Sequence, residues 1–445
     1  MDNLVLGFAG LGALFALIAI RVPIAYAMIA VGLTGTVLAM PKTELGLRII
    51  FNQLKDLGYA QFSNYDLSVL PMFILMGGLA SRTGLSRALF RAANAWLGRM
   101  RGGVAMAALV GCAGFGALCG SSTATASTMG QVALPELKRY RFSNPLATGT
   151  VAAGGTLGIL IPPSVVLIVY AIIVEANIVT MFAAALIPGL MALLFFMGAV
   201  AVYVRLFPGS GPSGGPVERA EMVSATLGVV PVVVIFGIVI GGIYAGIYNP
   251  TPAAAIGVVL VGLYGVFWAG LSRAAFVDAL LETARTTGMI YLILFGAELL
   301  KIFMARAGVP QAAAEWMMNS GLGAYEILAL IIIAFLIFGC LMDSLSMVIL
   351  AIPFFWPVVA GLDFGLSPAD TKIWFGIVIL IVVELGLITP PVGLNVFIIN
   401  QIAKDVPMRQ TFAGVMPFFA SEIVRVALLV AFPAITLFLP RLLSN

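Results

Sequence analysis

Histidine is absent from the 445-residue sequence. Its absence excludes histidine-based catalysis, histidine ligation of a metal and a histidine proton relay. Cysteine is scarce as well, with three residues, Cys112, Cys119 and Cys340. All three lie in apolar or tip segments, and we interpret them as small packing residues rather than as a disulfide or a metal site.

Charge is the other scarce property. Only 9% of the residues are charged and 62% are hydrophobic, whereas soluble domains carry roughly 25% charged residues. The chain therefore has too few polar groups to cover a water-soluble surface, and we interpret it as an integral protein of a lipid bilayer. Long apolar runs recur and alternating barrel strands are missing, which predicts transmembrane helices. The net charge of +4 is ordinary for such a protein and indicates no nucleic-acid partner.

The most informative stretch is apolar but interrupted twice. Residues 111–170 contain a polar cluster at 119–125 and then the pair Pro162-Pro163. A backbone group without a hydrogen bond costs several kcal/mol in hydrocarbon, so a broken helix persists at membrane depth only inside protein or beside a wet cavity. The interruptions therefore indicate a site.

A second copy of this stretch lies downstream, at residues 339–397. Asp343 to Ser346 interrupts its first arm and Thr389-Pro390-Pro391 interrupts its second. Near the prolines, residues 157–163 and 385–391 match at a constant shift. Paired interruptions in two halves of a membrane chain are typical of the binding site of a secondary transporter.

The pattern predicts an all-α polytopic membrane protein with about ten crossings and two re-entrant helical hairpins. The hairpins are expected at 104–137 and 327–359, because their arms are too short to cross the bilayer comfortably. Residues 41–66 are interpreted as a mixed-charge loop, 82–101 as an amphipathic surface helix, 208–216 as a linker, and 270–287 as a connector. The predicted crossings are 4–20, 23–40, 67–80, 145–176, 178–205, 222–244, 252–269, 288–305, 374–403 and 412–439, of which 145–176 and 374–403 are broken at their prolines.

Basic residues set the orientation of this layout. Fifteen lysines and arginines fall on one side and six on the other, with Lys301 and Arg425 at membrane depth. The positive-inside rule places the larger group in the cytoplasm and both termini outside. The segment 307–325 matches the arginine-rich surface helix in glycine spacing but has lost its basic charge, which predicts that the second repeat is inverted.

The two tips carry the candidate oxygen ligands. A broken helix exposes carbonyls at one end and amides at the other, so a tip can hold a hard cation and face an anion. The alternatives are that the hydroxyls cap or pack helices, and that Asp343 is only an N-cap. The proline breaks should leave carbonyls without amide partners at Gly158, Leu160, Gly386 and Ile388, although water or neighbouring helices filling a simple kink would also explain them.

Three further acidic and basic residues lie within apolar segments. Glu384 either takes part in ion coupling or pairs with a neighbouring polar group, and Glu298 is expected to neutralise Lys301 one turn away. The sequence contains no phosphate-binding loop ending in GK[ST], so transport driven by ATP is not expected.

Several motifs resemble the large membrane subunit of the tripartite ATP-independent periplasmic (TRAP) transporters. They are VPIAYA near the start, GSSTAT followed by PELKRY, LGILIPPS, and GLITPPVGLN. The resemblance covers essentially the whole chain. It implies a sodium-coupled, elevator-type importer of organic acids in the bacterial inner membrane, which works with a small four-helix membrane subunit and a periplasmic substrate-binding protein. No small subunit is fused to this chain, so that partner is expected to be a separate chain.

The resemblance also implies a division of the chain. Residues 1–66 and 222–287 would form the scaffold, 67–205 and 288–445 the two repeats with the transport elements, and 206–221 a cytoplasmic linker. Sodium sites are expected where tips meet proline breaks, at Ser121, Ser122, Thr125, Gly158, Leu160, Asp343, Ser344, Gly386, Thr389 and Gly393. The substrate is expected beside Gly120, Thr123, Pro162, Pro163, Ser346, Pro390, Pro391 and Asn395.

Three alternatives to this function remain open. A stand-alone sodium-coupled carboxylate transporter or exchanger of the same superfamily would work without a binding protein. An ion channel would carry current without stoichiometric coupling. An intramembrane enzyme is disfavoured because the broken segments offer no base beside a nucleophile.

Overall fold

The computed structural model describes residues 3–40, 43–215 and 217–443, and every regular element in these ranges is a helix. The all-α prediction is confirmed. The described ranges do not include Lys42, Pro216 or the terminal residues Met1 and Asn445. The predictions for these residues therefore stay predictions. The helices are α1 Asn3–Ala19, α2 Ile24–Leu38, α3 Thr43–Ser63, α4 Val69–Arg82, α5 Leu85–Leu97, α6 Gly103–Cys119, α7 Ser122–Arg139, α8 Asn144–Leu160, α9 Val165–Ile173, α10 Ile178–Leu206, α11 Arg219–Phe236, α12 Gly242–Tyr244, α13 Pro250–Phe267, α14 Arg273–Ala307, α15 Val309–Asn319, α16 Ala324–Gly339, α17 Ser344–Ala360, α18 Pro368–Gly386, α19 Leu394–Ile402, α20 Met408–Ala431 and α21 Ala434–Leu443.

Several helices are long and apolar enough to cross a membrane. Within the described ranges, five qualify singly: Ile178–Leu206, Arg219–Tyr244, Pro250–Phe267, Arg273–Ala307 and Met408–Ala431. Two bent pairs qualify as broken spans, Tyr65–Arg82 with Leu85–Leu97 at 65° and Asn144–Leu160 with Val165–Ile173 at 45°. Six further apolar helices have 10–17 residues, too few for a comfortable straight crossing. A multi-pass membrane protein follows from these lengths, and the figure of ten crossings stays a prediction.

Both interrupted stretches fold as hairpins and broken helices at the expected positions. The first hairpin is α6 and α7, joined at Gly120-Ser121, and the second is α16 and α17, joined at 340–343. The first broken helix is α8 and α9, separated at 161–164, and the second is α18 and α19, separated at 387–393. Each interruption coincides with the polar cluster or proline pair that predicted it.

Two connecting segments differ from the sequence-based interpretation, and a third, matched in sequence to the surface helix, does contain a helix. Residues 43–63 form helix α3 rather than a loop, because Leu47, Ile50 and Leu54 recur at helical spacing among polar residues. The connector at 270–287 is part of the continuous 35-residue helix α14, since Gly288 does not interrupt it. The segment 307–325 contains the short helix α15, which follows the left-handed residue Gly308 and ends before the left-handed Gly321.

The predicted linker is tied down by backbone hydrogen bonds. The amide of Gly102 donates to the carbonyl of Gly211, and that of Gly214 donates to Gly98. The amide of Ser143 donates to the carbonyl of Ser210. The described part of the linker therefore packs on the ends of the first hairpin and of α8, and does not act as a free tether.

The two hairpins pack against the broken helices in the same pattern. In each half, the first helix of the hairpin contacts the first segment of the broken helix of the same half: α6 packs on α8, and α16 packs on α18. The second helix of each hairpin contacts the second segment of the broken helix of the other half: α7 packs on α19, and α17 packs on α9. Each half therefore supplies part of the other half's packing surface.

Glycine pairs allow the close approach within each half. A Cβ added at Gly116 of α6 would lie 2.4 Å from the Cα of Gly158 in α8. A Cβ added at Gly386 of α18 would lie 2.5 Å from the backbone carbonyl carbon of Gly339 in α16. Backbone atoms cannot move aside as a flexible side chain can, so these positions require glycine.

We expect Gly386→Ala to destabilise the protein by about 1–3 kcal/mol, since overpacking against backbone forces the helices apart. Gly262→Ala in α13 is the matched control, because a Cβ there has nothing within 4 Å. Thermal unfolding of both purified variants in detergent tests this expectation. Equal melting temperatures for the two variants would contradict the close packing of α16 on α18.

Candidate functional site

A cavity of about 680 Å³ is lined by the two hairpin tips and by helices α4 and α14. Both tips reach it, although they are more than 200 residues apart in the sequence. Its polar lining consists of Ser81, Arg82, Ser121, Ser122, Thr123, Ser127, Thr128, Gln131, Glu282, Thr283, Thr286, Asp343 and Ser344. Polar groups at membrane depth mark a water-filled or ligand-binding space.

The first tip is shaped by a glycine and a capping serine. Gly120 ends α6 with a left-handed backbone (φ 64°), and a Cβ there would lie 2.9 Å from the carbonyl oxygen of Pro163. The Ser121 hydroxyl then accepts the Ala124 amide at 3.4 Å as the N-cap of α7. The tip therefore lies directly against the proline break of the first broken helix, as predicted.

Thr125 has an unsatisfied hydroxyl beside this contact. Its side chain is fully buried, and within the described residues its Oγ1 has no hydrogen-bond partner. A Cβ added at Gly158 would lie 2.4 Å from Thr125 Oγ1 and 2.7 Å from the carbonyl oxygen of Ser121. A hydroxyl and a carbonyl oxygen therefore lie beside Gly158. The buried Thr125 hydroxyl has no hydrogen-bond partner in the described part of the chain, which costs free energy unless a ligand satisfies it.

The second tip is capped by a carboxylate. Asp343 Oδ2 accepts the Ser346 amide at 3.0 Å, and Asp343 also lines the cavity. At the second proline break, the Gly386 carbonyl accepts the Thr389 amide at 3.1 Å. Our expectation that this carbonyl lacks an amide partner is wrong, because the chain turns tightly after α18 and brings the amide of Thr389 back onto it.

Glu384 joins the two tips. Its carboxylate is 1% exposed and accepts a hydrogen bond from the Ser344 hydroxyl at 2.6 Å. The Ser122 hydroxyl donates to the other carboxylate oxygen. Ser122 is the first residue of α7 and Ser344 the first residue of α17, so one buried acidic group bridges equivalent positions of both hairpins. Of the two roles open for Glu384, pairing with neighbouring polar groups is confirmed.

The predicted site residues fall into three groups. Six of them line the cavity: Gly120, Ser121, Ser122, Thr123, Asp343 and Ser344. Others are buried behind it, including Thr125, Gly158, Pro162, Pro163 and Ser346, whereas Pro390 and Pro391 are exposed. Asn395 is fully buried on α19, and its Nδ2 donates to the Ala152 carbonyl of α8 at 3.4 Å. Leu160 directs its carbonyl toward Gly189 of α10, since a Cβ there would lie 2.7 Å from that oxygen.

Comparison with known proteins decides the family. A sequence model described as "Tripartite ATP-independent periplasmic transporter, DctM component" matches residues 11–435. This chain belongs to that family. It resembles the "C4-dicarboxylate TRAP transporter large permease protein DctM" of Pseudomonas aeruginosa, with 32% identity over 86% of this chain and 87% of that protein. It is 28% identical to the "Sialic acid TRAP transporter large permease protein SiaM" of Vibrio cholerae, over 98% and 97% of the two chains.

A solved structure confirms the fold of this DctM component. The Alcanivorax borkumensis YdaH transporter superposes with a TM-score of 0.65, covering 97% of this chain and 98% of that one at 12% identity. The family match makes the chain the DctM component of a TRAP transporter, which is a transporter subunit and not an enzyme.

Two of the charged residues that line the cavity of this permease are not among the predicted site residues. Arg82 was counted only among the surface arginines, and Glu282 only as part of a connector. Their guanidinium and carboxylate meet at 2.7 Å across α4 and α14. Their spacing of 200 residues carries no local signal. Arg82 follows the apolar run 67–80, but Glu282 lies among Arg273, Asp278 and Arg285, and nothing there distinguishes it.

Two ion pairs also lie in membrane-length helices. Lys301 contacts Glu298 at 3.0 Å, which confirms the predicted pair. Arg425 of α20, fully buried, pairs with Glu422 and donates to the Pro188 carbonyl of α10 at 2.9 Å. Pro188 lies inside α10 and cannot donate an amide, so the carbonyl of Ala184, one turn earlier, lacks its usual helical donor.

Proposed function

We propose that this permease imports an organic acid together with sodium ions across the bacterial inner membrane. It would act with a small four-helix membrane subunit and a periplasmic substrate-binding protein. The family description names a tripartite, ATP-independent, periplasmic system, which supports the need for two partners. The relatives named for C4-dicarboxylate and for sialic acid transport support a carboxylate substrate.

The observation that carries the proposal is the unpaired Thr125 hydroxyl. Sodium prefers several hard oxygen ligands, and neutral hydroxyl and carbonyl oxygens are suitable. Thr125 Oγ1 and the Ser121 carbonyl both face Gly158, so a cation there would satisfy an oxygen that otherwise has no partner. Ser121, Thr125 and the α8 backbone at Gly158 would hold the first ion, with Ser122 and Leu160 nearby.

The second sodium site is proposed at the other tip. Asp343 uses one carboxylate oxygen as a helix cap, which leaves the other for a cation. Gly393 has a left-handed backbone (φ 58°), and a Cβ there would lie 3.2 Å from the Thr389 carbonyl oxygen. Asp343, Ser344, Gly386, Thr389 and Gly393 would form this site. A bound cation there would supply positive charge near the carboxylate of an arriving substrate.

We further propose that the two halves are inverted repeats and that the hairpins with their broken helices move as one elevator domain. The reciprocal contacts, α7 on α19 and α17 on α9, support the idea because they bind the two halves into one packed unit. Glu384 adds a buried link between the tips. The distribution of basic residues supports an outside location for both termini.

Thr125→Val tests the first sodium site. Valine matches threonine in size but lacks the hydroxyl, so the sodium concentration for half-maximal uptake should rise by about tenfold or more, since ~1.4 kcal/mol is a factor of ten. Thr436→Val in α21 is the control, because this hydroxyl is also buried and without a partner among the described residues but lies away from both tips.

The measurement is initial uptake against sodium concentration for the complex reconstituted in liposomes. If Thr125→Val and Thr436→Val both kept the wild-type sodium dependence, the Thr125 hydroxyl would not be a sodium ligand. A hyperbolic wild-type curve would argue against two coupled sodium sites.

A further inference from the structure

Among the residues described by the structure that line the cavity, Arg82 has the only basic side chain. The other two charged groups there are the carboxylates of Glu282 and Asp343. Arg82 ends α4, and its Nη1 donates to the Gly78 carbonyl at 2.8 Å while Nη2 donates to Glu282 Oε2 at 2.7 Å. The first bond fixes the guanidinium against its own helix, and the second points it into the cavity toward α14.

The pair with Glu282 is of the kind that a ligand can replace. The Glu282 side chain is 62% exposed and the Arg82 side chain 26% exposed, and ion pairs in such surroundings are weak. A guanidinium presents a rigid fork of donors that matches a carboxylate with two parallel hydrogen bonds. The Glu282 carboxylate therefore occupies the place on Arg82 at which the carboxylate of an anionic ligand would bind.

The cavity would otherwise repel an anion. Without Arg82, the fixed charges lining it would both be negative, and the hydroxyls of the tips would supply only neutral donors. An organic acid that reaches the tips must therefore meet Arg82 or a bound cation. Arg82 and the two tips with their proposed sodium sites line the same cavity, which suits a ligand with a carboxylate at each end.

We propose that Arg82 binds a carboxylate of the transported organic acid and that Glu282 holds this guanidinium when no substrate is present. The substrate carboxylate replaces Glu282 on the Arg82 fork, and the ion pair between α4 and α14 is broken as the cavity fills. This inference rests on the proposed import of organic acids and adds a specific binding residue to it. The simpler possibility is that the pair only clamps α4 to α14.

The two possibilities predict opposite patterns for three variants. If Arg82 binds substrate and Glu282 competes, Arg82→Gln should raise the substrate KM by about tenfold or more, as expected when a charged hydrogen-bond partner is lost. Glu282→Gln should lower the KM about two- to fivefold, because a weak competing pair is removed. Arg82→Lys should be intermediate, since it keeps the charge but loses the fork. A clamp would make Arg82→Gln and Glu282→Gln equally harmful.

The assay is sodium-driven uptake of labelled succinate by the complete reconstituted transporter, with Arg87→Gln as the control. Arg87 is an exposed arginine of α5 that does not line the cavity. The sodium concentration for half-maximal uptake, measured at saturating succinate, should stay unchanged in Arg82→Gln, which separates lost substrate binding from lost folding or ion binding. Equal KM changes of the same sign for Arg82→Gln and Glu282→Gln would overturn the inference. Sodium-independent succinate uptake by the wild type would instead contradict the proposed function.

Discussion

Replacing Arg425 by methionine is expected to lower the free energy of unfolding by about 3–5 kcal/mol, the usual cost of removing one partner of a buried ion pair. Arg425 is fully buried and its Nε donates to Glu422 Oε2 at 3.0 Å. Its loss would leave the Glu422 carboxylate and the Pro188 carbonyl without their donor inside the packed helices. Neither group can reach water, because Glu422 is 3% exposed and Pro188 is buried.

The double variant Glu422→Leu with Arg425→Met is the control. Well-packed apolar replacements of a complete buried pair are often neutral, since both desolvation costs disappear together. The double variant should therefore recover most of the stability that Arg425→Met loses. The measurement is the free energy of unfolding of both variants in detergent or bicelles. If the double variant were no more stable than Arg425→Met, Arg425 would stabilise the fold through packing alone and not through its pair with Glu422.

Asp343→Asn is expected to weaken the apparent affinity for sodium by about tenfold or more, because a formal charge in a low-dielectric site is worth at least ~1.4 kcal/mol. Asparagine caps a helix about as well as aspartate, so the bond to the Ser346 amide should persist. The folded state is then preserved while the charge is removed. Ser367→Ala, which removes the cap of α18 outside the cavity, controls for the general effect of altering a helix cap.

Initial uptake against sodium concentration separates the two roles of Asp343. A shift to higher sodium with unchanged melting temperature is the result we expect. An unshifted curve would leave Asp343 as a cap and nothing more. In the wild type the curve should be sigmoidal, because two tips with different oxygen ligands would bind at least two ions.

Much of this fold could be predicted because the membrane makes local interruptions meaningful. A polar run such as 119–125 cannot lie among lipid chains, because its backbone groups would lack hydrogen-bond partners. This constraint places the predicted arms of the first hairpin within two residues of the ends of α6 and α7. Pro162-Pro163 and Pro390-Pro391 marked the breaks for the same reason. Helix α3 was missed because its apolar residues are diluted by charged ones, and the pattern resembled a surface loop.

Contacts across the two halves could not be predicted. The hydrogen bond of Ser122 to Glu384 spans 262 residues, and the pair of Arg82 with Glu282 spans 200. Nothing in the neighbourhood of Arg82 distinguishes it from the exposed Arg87. Repetition of the motifs showed that two tips exist, but only the reciprocal packing of second arms on second segments brings both tips to one cavity.

The most direct test of sodium-coupled import uses the complete transporter in liposomes. Labelled succinate uptake is measured with an inward sodium gradient, with potassium replacing sodium, and with the binding protein or the small subunit omitted. We expect rapid uptake only when sodium and all three proteins are present. Uptake by this chain alone, or uptake that continues unchanged in potassium, would contradict it.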